Sequence, residues 1–517
     1  MSKIEFRHTC IIIHNYDMGD CEPLEHKFSL WDKGRHQFYF MNLYYDEENK
    51  DLYLPSGIDI GMIFGPFGSH DVFHKIEPDP YDTFKRPSRL KNLPRNDIQK
   101  QTIDFCLGRG NYINNQRVSQ LFVNLNTGAG KTYILIAVTA YYGVKTALIM
   151  NSLDWLEQWK LRIMEHTDTT EDEIYVISGA GSIAKLLQGY KSHSKIKYFL
   201  VSHATLRAYG TRYGFHKIRE LFQYLGIGIK IFDEAHRYPD NIFLIDCFTD
   251  VWKTYYLTAT PILSDPKENT IYQRSYKRIP KINLFDAKKD PRTEYVGILF
   301  NSHPSPIDLD RCVGVYGFNL IWYVNYLVTN PNYYRLLWVV MDMVLHNTEG
   351  KILVYIGTNF GIQRTYEWLK FYYPFLSVGR YSSLVSKEQK RKELDNKVIL
   401  TTLKSAGENS DIPDLEKTIL LASPFNSPQL ARQTLGRTRA RDTMYIDIVD
   451  VGFPALSAYY KNKQKVFNKY ATSCKEVRLN DYAISNSISN ILERDRKAIE
   501  ETQKQQGLKQ VIEIVKK

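Results

Sequence analysis

Cysteine is scarce in this chain of 517 residues: there are six, at positions 10, 21, 106, 247, 312 and 474, and none forms a CxxC pair. That spacing provides neither a zinc ligand set nor the disulfide framework of a small secreted domain, and it suits a reducing, intracellular compartment. Long apolar runs are also missing. No stretch approaches the ~20 residues needed to cross a bilayer, and the opening MSKIEFRHTC carries charge where a secretion signal needs an apolar core. Negative charge is in deficit, with 68 Lys and Arg against 57 Asp and Glu leaving a net +11. With no lipid anchor beside it, this excess points to a polyanionic partner, nucleic acid before membrane. The length exceeds what one core can organise, so several domains are expected, in a chain expected to be a monomer.

What is present is organised around residues 121–132, LFVNLNTGAGKT. The apolar run reads as a buried strand, and the following YILIAVTAYYG has helical spacing with no breaker before Gly143. A glycine turn between a strand and a helix N-terminus is a phosphate cradle. Asn126, Thr127, Gly128, Ala129 and Gly130 curl the backbone so that its N–H groups face an anion. Lys131 reaches the β- and γ-phosphates of a nucleotide, and the Thr132 hydroxyl holds Mg²⁺. The usual opening Gly or Ala of this pattern is Leu125 here.

Taken in order, residues 1–92 hold short alternating runs such as CIIIHNY and DLYLPSGIDI between turn clusters, a small β-rich accessory domain and a candidate for nucleic-acid binding. A stretch rich in Pro and charge leads into the helical DIQKQTIDFCL, where Gln99 could read an adenine edge through its amide. Across residues 93–265 strands alternate with helices (LFVNL, TALIMN, YFLVSH, IKIFDEA, TYYLTATP), which argues for a parallel sheet covered on both faces with its functional loops at the carboxyl ends of the strands. In IKIFDEAH the strand delivers two adjacent carboxylates: Asp233 to hold Mg²⁺ and Glu234 to polarise the attacking water. Residues 266–455 comprise a charged linker and a second α/β set without a GKT, and residues 456–517 read as a helical extension. QTLGRTRAR, residues 433–441, contributes guanidinium groups suited to a γ-phosphate in transit, with Arg437 and Arg439 as candidate fingers and Gln433 placed to orient the water or the phosphate.

With these motifs in this order, the chain resembles the superfamily 2 helicases and translocases of the DEAH/DExH type. The resemblance implies two tandem RecA-like lobes that complete one ATP site, with Lys131, Thr132, Asp233 and Glu234 from the first lobe and Gln433, Arg437 and Arg439 from the second. It also implies contacts of Ser152, Thr205, Thr402 and Gly407 with a nucleic-acid backbone, Asp411 near the ribose, and coupling of the two sites through His236, Thr258 and Thr260. The arginine segment looks like a QxxGRxRxR variant, which leaves Arg441 as an alternative second finger. The N-terminal YYDEENKDLYLPSGIDI ahead of a compact core resembles helicases of large DNA viruses, among them poxvirus transcript-release and phage recombination helicases, and favours DNA over RNA as the track, in transcription, repair or recombination. An RNA-stimulated ATPase and a non-hydrolysing nucleic-acid clamp are the alternatives.

Overall fold

The computed structural model describes the chain apart from residues 1–2, 33–35, 64–70, 76, 85, 126–128, 152, 190–192, 260–261, 264, 285–292, 315–316, 407–411, 413, 436–442 and 516–517. It divides into two compact units, Met1–Asp286 and Ala287–Lys517.

The first unit opens with β1 (Lys3–Phe6), β2 (Cys10–His14), a hairpin of β3 (Ser29–Asp32) and β4 (Gln37–Phe40), then β5 (Tyr44–Asp46), β6 (Asp51–Pro55) and β7 (Asp71–His74). Five of these make a sheet in the order β5-β6-β2-β1-β7. The seven strands that follow are β8 (Gln120–Leu125), β9 (Thr146–Met150), β10 (Ile174–Ile177), β11 (Tyr198–Ser202), β12 (Ile229–Phe232), β13 (Lys253–Thr258) and β14 (Lys281–Leu284). They form one parallel sheet, β10-β11-β9-β12-β13-β8-β14.

Its central strands are buried on both faces, which is why they read as unbroken apolar runs and not as alternations. The two-residue period still sorts their side chains. Tyr255 and Leu257 point into one core, whereas Phe232 and Tyr256 join a second core shared with Ile11, Ile13, Leu52 and Leu54 of the N-terminal sheet. The N-terminal sheet thus shares one core with that face of the large sheet and with helices of the first unit, among them Pro239–Phe248, which contacts β2 and β6.

Polar contacts tie the two together. Lys230, with no exposed surface, pairs with Asp246 at 2.6 Å and donates to Thr249 Oγ1 at 2.6 Å. The Tyr256 hydroxyl donates to Asp246 at 2.6 Å and accepts from the Gln120 amide at 2.7 Å. From the N-terminal side, Thr9 Oγ1 donates to the Asp246 carbonyl at 2.7 Å, and Ser56 donates to Gln120.

The second unit repeats the plan. Its strands are β15 (Thr293–Phe300), a short hairpin of β16 (Val313–Gly314) and β17 (Gly317–Phe318), then β18 (Lys351–Ile356), β19 (Val378–Tyr381), β20 (Val398–Thr401), β21 (Leu415–Ala422), β22 (Thr443–Asp450) and β23 (Ser473–Arg478). The main sheet runs β19-β20-β18-β21-β22-β15-β23, again parallel. Numbered within each sheet, both orders are 3-4-2-5-6-1-7. The residues after 455 are not helical throughout: β23 adds the edge strand beside β15. The long helix Asp481–Val515 then packs on the helix Pro331–His346, where Arg494 makes a two-pronged bond to Asp342 at 2.7 and 3.0 Å. All six cysteines are free thiols, and no described helix is long and apolar enough to cross a membrane.

Because Lys230 has no water to fall back on, removing its counter-charge leaves a buried cation. Asp246→Ala is expected to cost the first unit about 3–5 kcal/mol, read as a fall in its urea midpoint with an unchanged slope.

Candidate functional site

The functional residues of the first unit lie where the parallel strands end. β8 runs out at Leu125, and after residues 126–128, which lie outside the described part, Ala129 and Gly130 lead into the helix Lys131–Tyr142. Gly130 takes φ +87°, and a side chain there would collide with the Gln99 amide. Glycine is required at that position on both grounds. The helix has no side-chain cap, so its first N–H groups remain available to an anion. Lys131 Nζ sits 3.4 Å from the Leu125 carbonyl, folded back over the end of its own strand.

Gln99 supports this turn from the helix Asp97–Leu107. Its amide nitrogen donates to the Ala129 carbonyl at 3.2 Å, and its oxygen accepts from the Arg95 N–H at 2.8 Å. The side chain has no exposed surface. The amide expected to read an adenine edge is thus bonded at both ends, bracing the glycine turn ahead of Lys131.

β12 delivers the Asp233–His236 turn. One oxygen of Asp233 accepts the Glu234 N–H at 3.0 Å and the other accepts the indole N–H of Trp159 at 2.9 Å. Burial, followed by the neighbouring Glu234 carboxylate, pushes Asp233 up to about 6, against the attraction of Lys131 and the indole bond. The Lys131 charge is thus felt at Asp233. Glu234 itself adopts φ +51°, a left-handed conformation that costs a residue with a Cβ about 1 kcal/mol or more. The Ala235 N–H bonds the Leu257 carbonyl of β13 at 2.7 Å, and the Arg237 N–H bonds the Glu234 carbonyl at 2.8 Å.

His236 is 4 % exposed. Its Nδ1 lies 2.7 Å from Thr258 Oγ1 and 3.3 Å from a Glu234 oxygen, so one imidazole joins the carboxylate turn to the end of β13. Burial holds the ring down to about 4, despite the Glu234 charge, and it is neutral at pH 7. His203 is likewise held down to about 4 by burial, with Asn151 at 2.6 Å and Asn241 at 3.1 Å on its two nitrogens.

The backbone-contact candidates sit at equivalent places in the two units. Thr205 follows the fourth strand of the first sheet, where Ser202 caps the helix His203–Tyr213 by accepting the Thr205 N–H at 3.1 Å and lies 2.9 Å from its hydroxyl. Thr402 follows the fourth strand of the second sheet, accepts the Ser405 N–H at 3.0 Å and donates to its hydroxyl at 2.9 Å. Each site is therefore a hydroxyl pair three residues apart, and Ser202 and Ser405 went unread in the sequence although the S-x-x-T and T-x-x-S spacings were available. Thr132 is half-buried at the start of its helix. Asn126, Thr127, Gly128, Ser152, Thr260, Gly407, Asp411, Arg437, Arg439 and Arg441 lie outside the described residues, as does the side chain of Gln433, whose backbone belongs to the helix Pro428–Leu435.

Residues 92–263 match the family model for the type III restriction enzyme, res subunit. The chain is 28% identical over 150 residues to the DNA 3'-5' helicase XPB of Mycobacterium tuberculosis, covering 29% of this chain and 25% of that protein. It is 26% identical over 408 residues to transcript termination protein A18 of vaccinia virus, covering 74% of this chain and 71% of that protein. The chain spans about a quarter of the length of the XPB relatives it matches. Among solved structures, a single-site variant of S. cerevisiae Dbp5 bound to RNA and ADP BeF3 superposes with a TM-score of 0.52 at 14% identity, over 77% of this chain and 92% of that one. That likeness is one of fold: two tandem RecA-like lobes.

The buried imidazoles set an acid limit on stability. His203 and His236 have folded-state values near 4 against an ordinary 6.5. The unfolded chain therefore binds more protons between those two values. Their contribution is complete above pH 6.5 and is lost as pH falls toward 4, by at most about 3 kcal/mol for each ring. Urea denaturation of His203→Gln over this range is expected to show a shallower acid loss than the parent.

Proposed function

We propose that this chain, which carries the core of the superfamily 2 helicases, is an ATP-dependent motor that moves along nucleic acid, with DNA as its track. The observation that carries the proposal is the convergence in one lobe of Lys131, the Asp233–Glu234 pair and the His236–Thr258 bond, all at the strand ends of a parallel sheet. The relatives named for DNA helicase and transcript termination activity support a DNA track and a place in transcription.

In this reading ATP lies on the turn between β8 and its helix, with residues 126–132 as its cradle and Lys131 neutralising the terminal phosphates. The Thr132 hydroxyl and the Asp233 carboxylate are an all-oxygen donor pair of the kind Mg²⁺ takes, and the ion would neutralise charge on the β- and γ-phosphates when bound. Glu234 polarises the attacking water. Gln433, Arg437 and Arg439, with Asp411 for the ribose, are the second unit's candidates for nucleotide contact. Ser152, Thr205, Thr402 and Gly407 hold the track through its phosphates, so binding carries little sequence preference and weakens with salt. His236, Thr258 and Thr260 transmit the state of the nucleotide to that grip.

The decisive experiment is ATP turnover measured with no polymer, duplex DNA, single-stranded DNA and RNA. Stimulation by DNA is expected. Stimulation by RNA alone would reassign the track, and an absence of turnover in all four would leave only a clamp. Lys131→Ala should lower stimulated turnover by about 100-fold or more while low-salt DNA binding persists. Glu234→Gln should retain bound ATP without hydrolysing it; hydrolysis at the parent rate would remove Glu234 from its role.

A further inference from the structure

The helix Leu153–His166 carries tryptophans one turn apart, Trp155 and Trp159, and both are buried, at 6 % and 4 % exposed. At i and i+4 they share a helix face. An aromatic core explains that spacing in a sequence, but it does not explain where the two rings go. Trp155 packs against Arg237, with the guanidinium 5.8 Å from the ring centroid, and Trp159 donates its indole N–H to Asp233 Oδ2 at 2.9 Å. The helix therefore meets the Asp233–Arg237 turn at two points, and only the second involves the carboxylate.

We propose that Trp159 is a positioning residue for the nucleotide-bound divalent cation: its indole N–H, together with the Glu234 N–H on the other oxygen, fixes the plane of the Asp233 carboxylate. This inference rests on the reading of Asp233 as a metal carboxylate. Three observations favour a built contact over incidental packing. Among the described residues each Asp233 oxygen has a donor, at 2.9 and 3.0 Å, so rotation of the carboxylate about its Cβ–Cγ bond breaks both bonds. Each oxygen keeps further lone-pair capacity for a cation or its water. Finally, indole is a donor only, so this bond persists with an ionised carboxylate and cannot compete with a metal for an acceptor. Outer donors of this kind set the orientation of a metal ligand, and their loss weakens metal affinity by about 10-fold or more.

The test is Trp159→Phe, which keeps an aromatic ring in the pocket and deletes the donor. Binding of a fluorescent N-methylanthraniloyl ADP is titrated in EDTA and then across a Mg²⁺ series, with thermal unfolding as the check on the fold. The expected result is nucleotide affinity in EDTA within twofold of the parent and a Mg²⁺ midpoint raised about 10-fold. In the parent, the Trp159 indole ¹⁵N–¹H resonance, assigned by its loss in the variant, should move when Mg²⁺ is added to the nucleotide complex. A Mg²⁺ midpoint within twofold of the parent overturns the proposal, as does a fall in nucleotide affinity equal in EDTA and Mg²⁺, which would mark Trp159 as packing only. A parent chain whose nucleotide binding ignores Mg²⁺ overturns the site reading itself, and this inference with it. If Trp159→Phe unfolds early, the resonance of the parent decides alone: an indole signal unmoved by Mg²⁺ overturns the proposal.

Discussion

A carboxylate withdrawn from water takes up a proton unless donors and positive charge hold it ionised, and the first lobe is built around meeting that requirement at Asp233. Burial and Glu234 act against the charge, while Lys131, the Trp159 indole and the Glu234 N–H act for it. The outcome is a carboxyl group raised above the usual carboxylate range, with burial and Glu234 outweighing the donors and the Lys131 charge. The same turn holds Glu234 in a left-handed conformation, a strain sustained because the backbone is tied down on either side, by the bond from Asp233 to the Ile149 carbonyl before it and the bond from Ala235 to Leu257 after it. Leu257 and Thr258 are consecutive residues of β13, and His236 bonds the second while Ala235 bonds the first. A shift of the carboxylate turn is therefore a shift of the end of β13, with no intervening flexible joint.

The N-terminal sheet enters this arrangement from the opposite end of the same strands. Gln120, at the start of β8, accepts from Ser56 and donates to Tyr256, whose hydroxyl in turn meets Asp246. β8 is thus held at its beginning by the accessory strands and leads at its end toward Gly130 and Lys131. His8 and Lys75 add to the joint at Asp250, which they hold down to about 2 although burial works against them. A segment that composition presents as a separate domain is, in its packing, part of the first unit's own core.

Much of this was legible in the sequence. Strands buried on both faces leave apolar runs too plain to miss, and polar motifs directly after such runs fall at the carboxyl ends of a parallel sheet, where Lys131, Asp233 and His236 do lie. Three features were not legible, each for a physical reason. The partners of the N-terminal strands lie some 240 residues away, as with Thr9 and Asp246, and a one-dimensional pattern shows that a face is apolar but not what covers it. β23, SCKEVR, is charged and exposed because it is an edge strand, and edges are where polar residues blunt further pairing. Trp159 looks like any core aromatic on a helix, since only geometry distinguishes an indole that donates to a carboxylate from one that simply fills space. The bonds of Gln99 to Arg95 and Ala129 were equally hidden, since its position shows an amide near the turn but not which groups it bonds.

The shared strand order 3-4-2-5-6-1-7 allows the two units to be compared position by position. After the fourth strand, both carry a capping hydroxyl pair, Ser202 with Thr205 and Thr402 with Ser405. After the first strand they differ: β8 opens into the glycine turn and Lys131, whereas β15 ends at Phe300 and leads to Ser302, whose hydroxyl and N–H are both taken by the buried Asp450 carboxylate. The position after the first strand is thus a glycine turn in one unit and, in the other, a serine bonded to a buried carboxylate. Two units with one strand order thus keep a hydroxyl pair at the same place and differ at the turn after the first strand, so a shared backbone plan does not fix the chemistry of its strand ends.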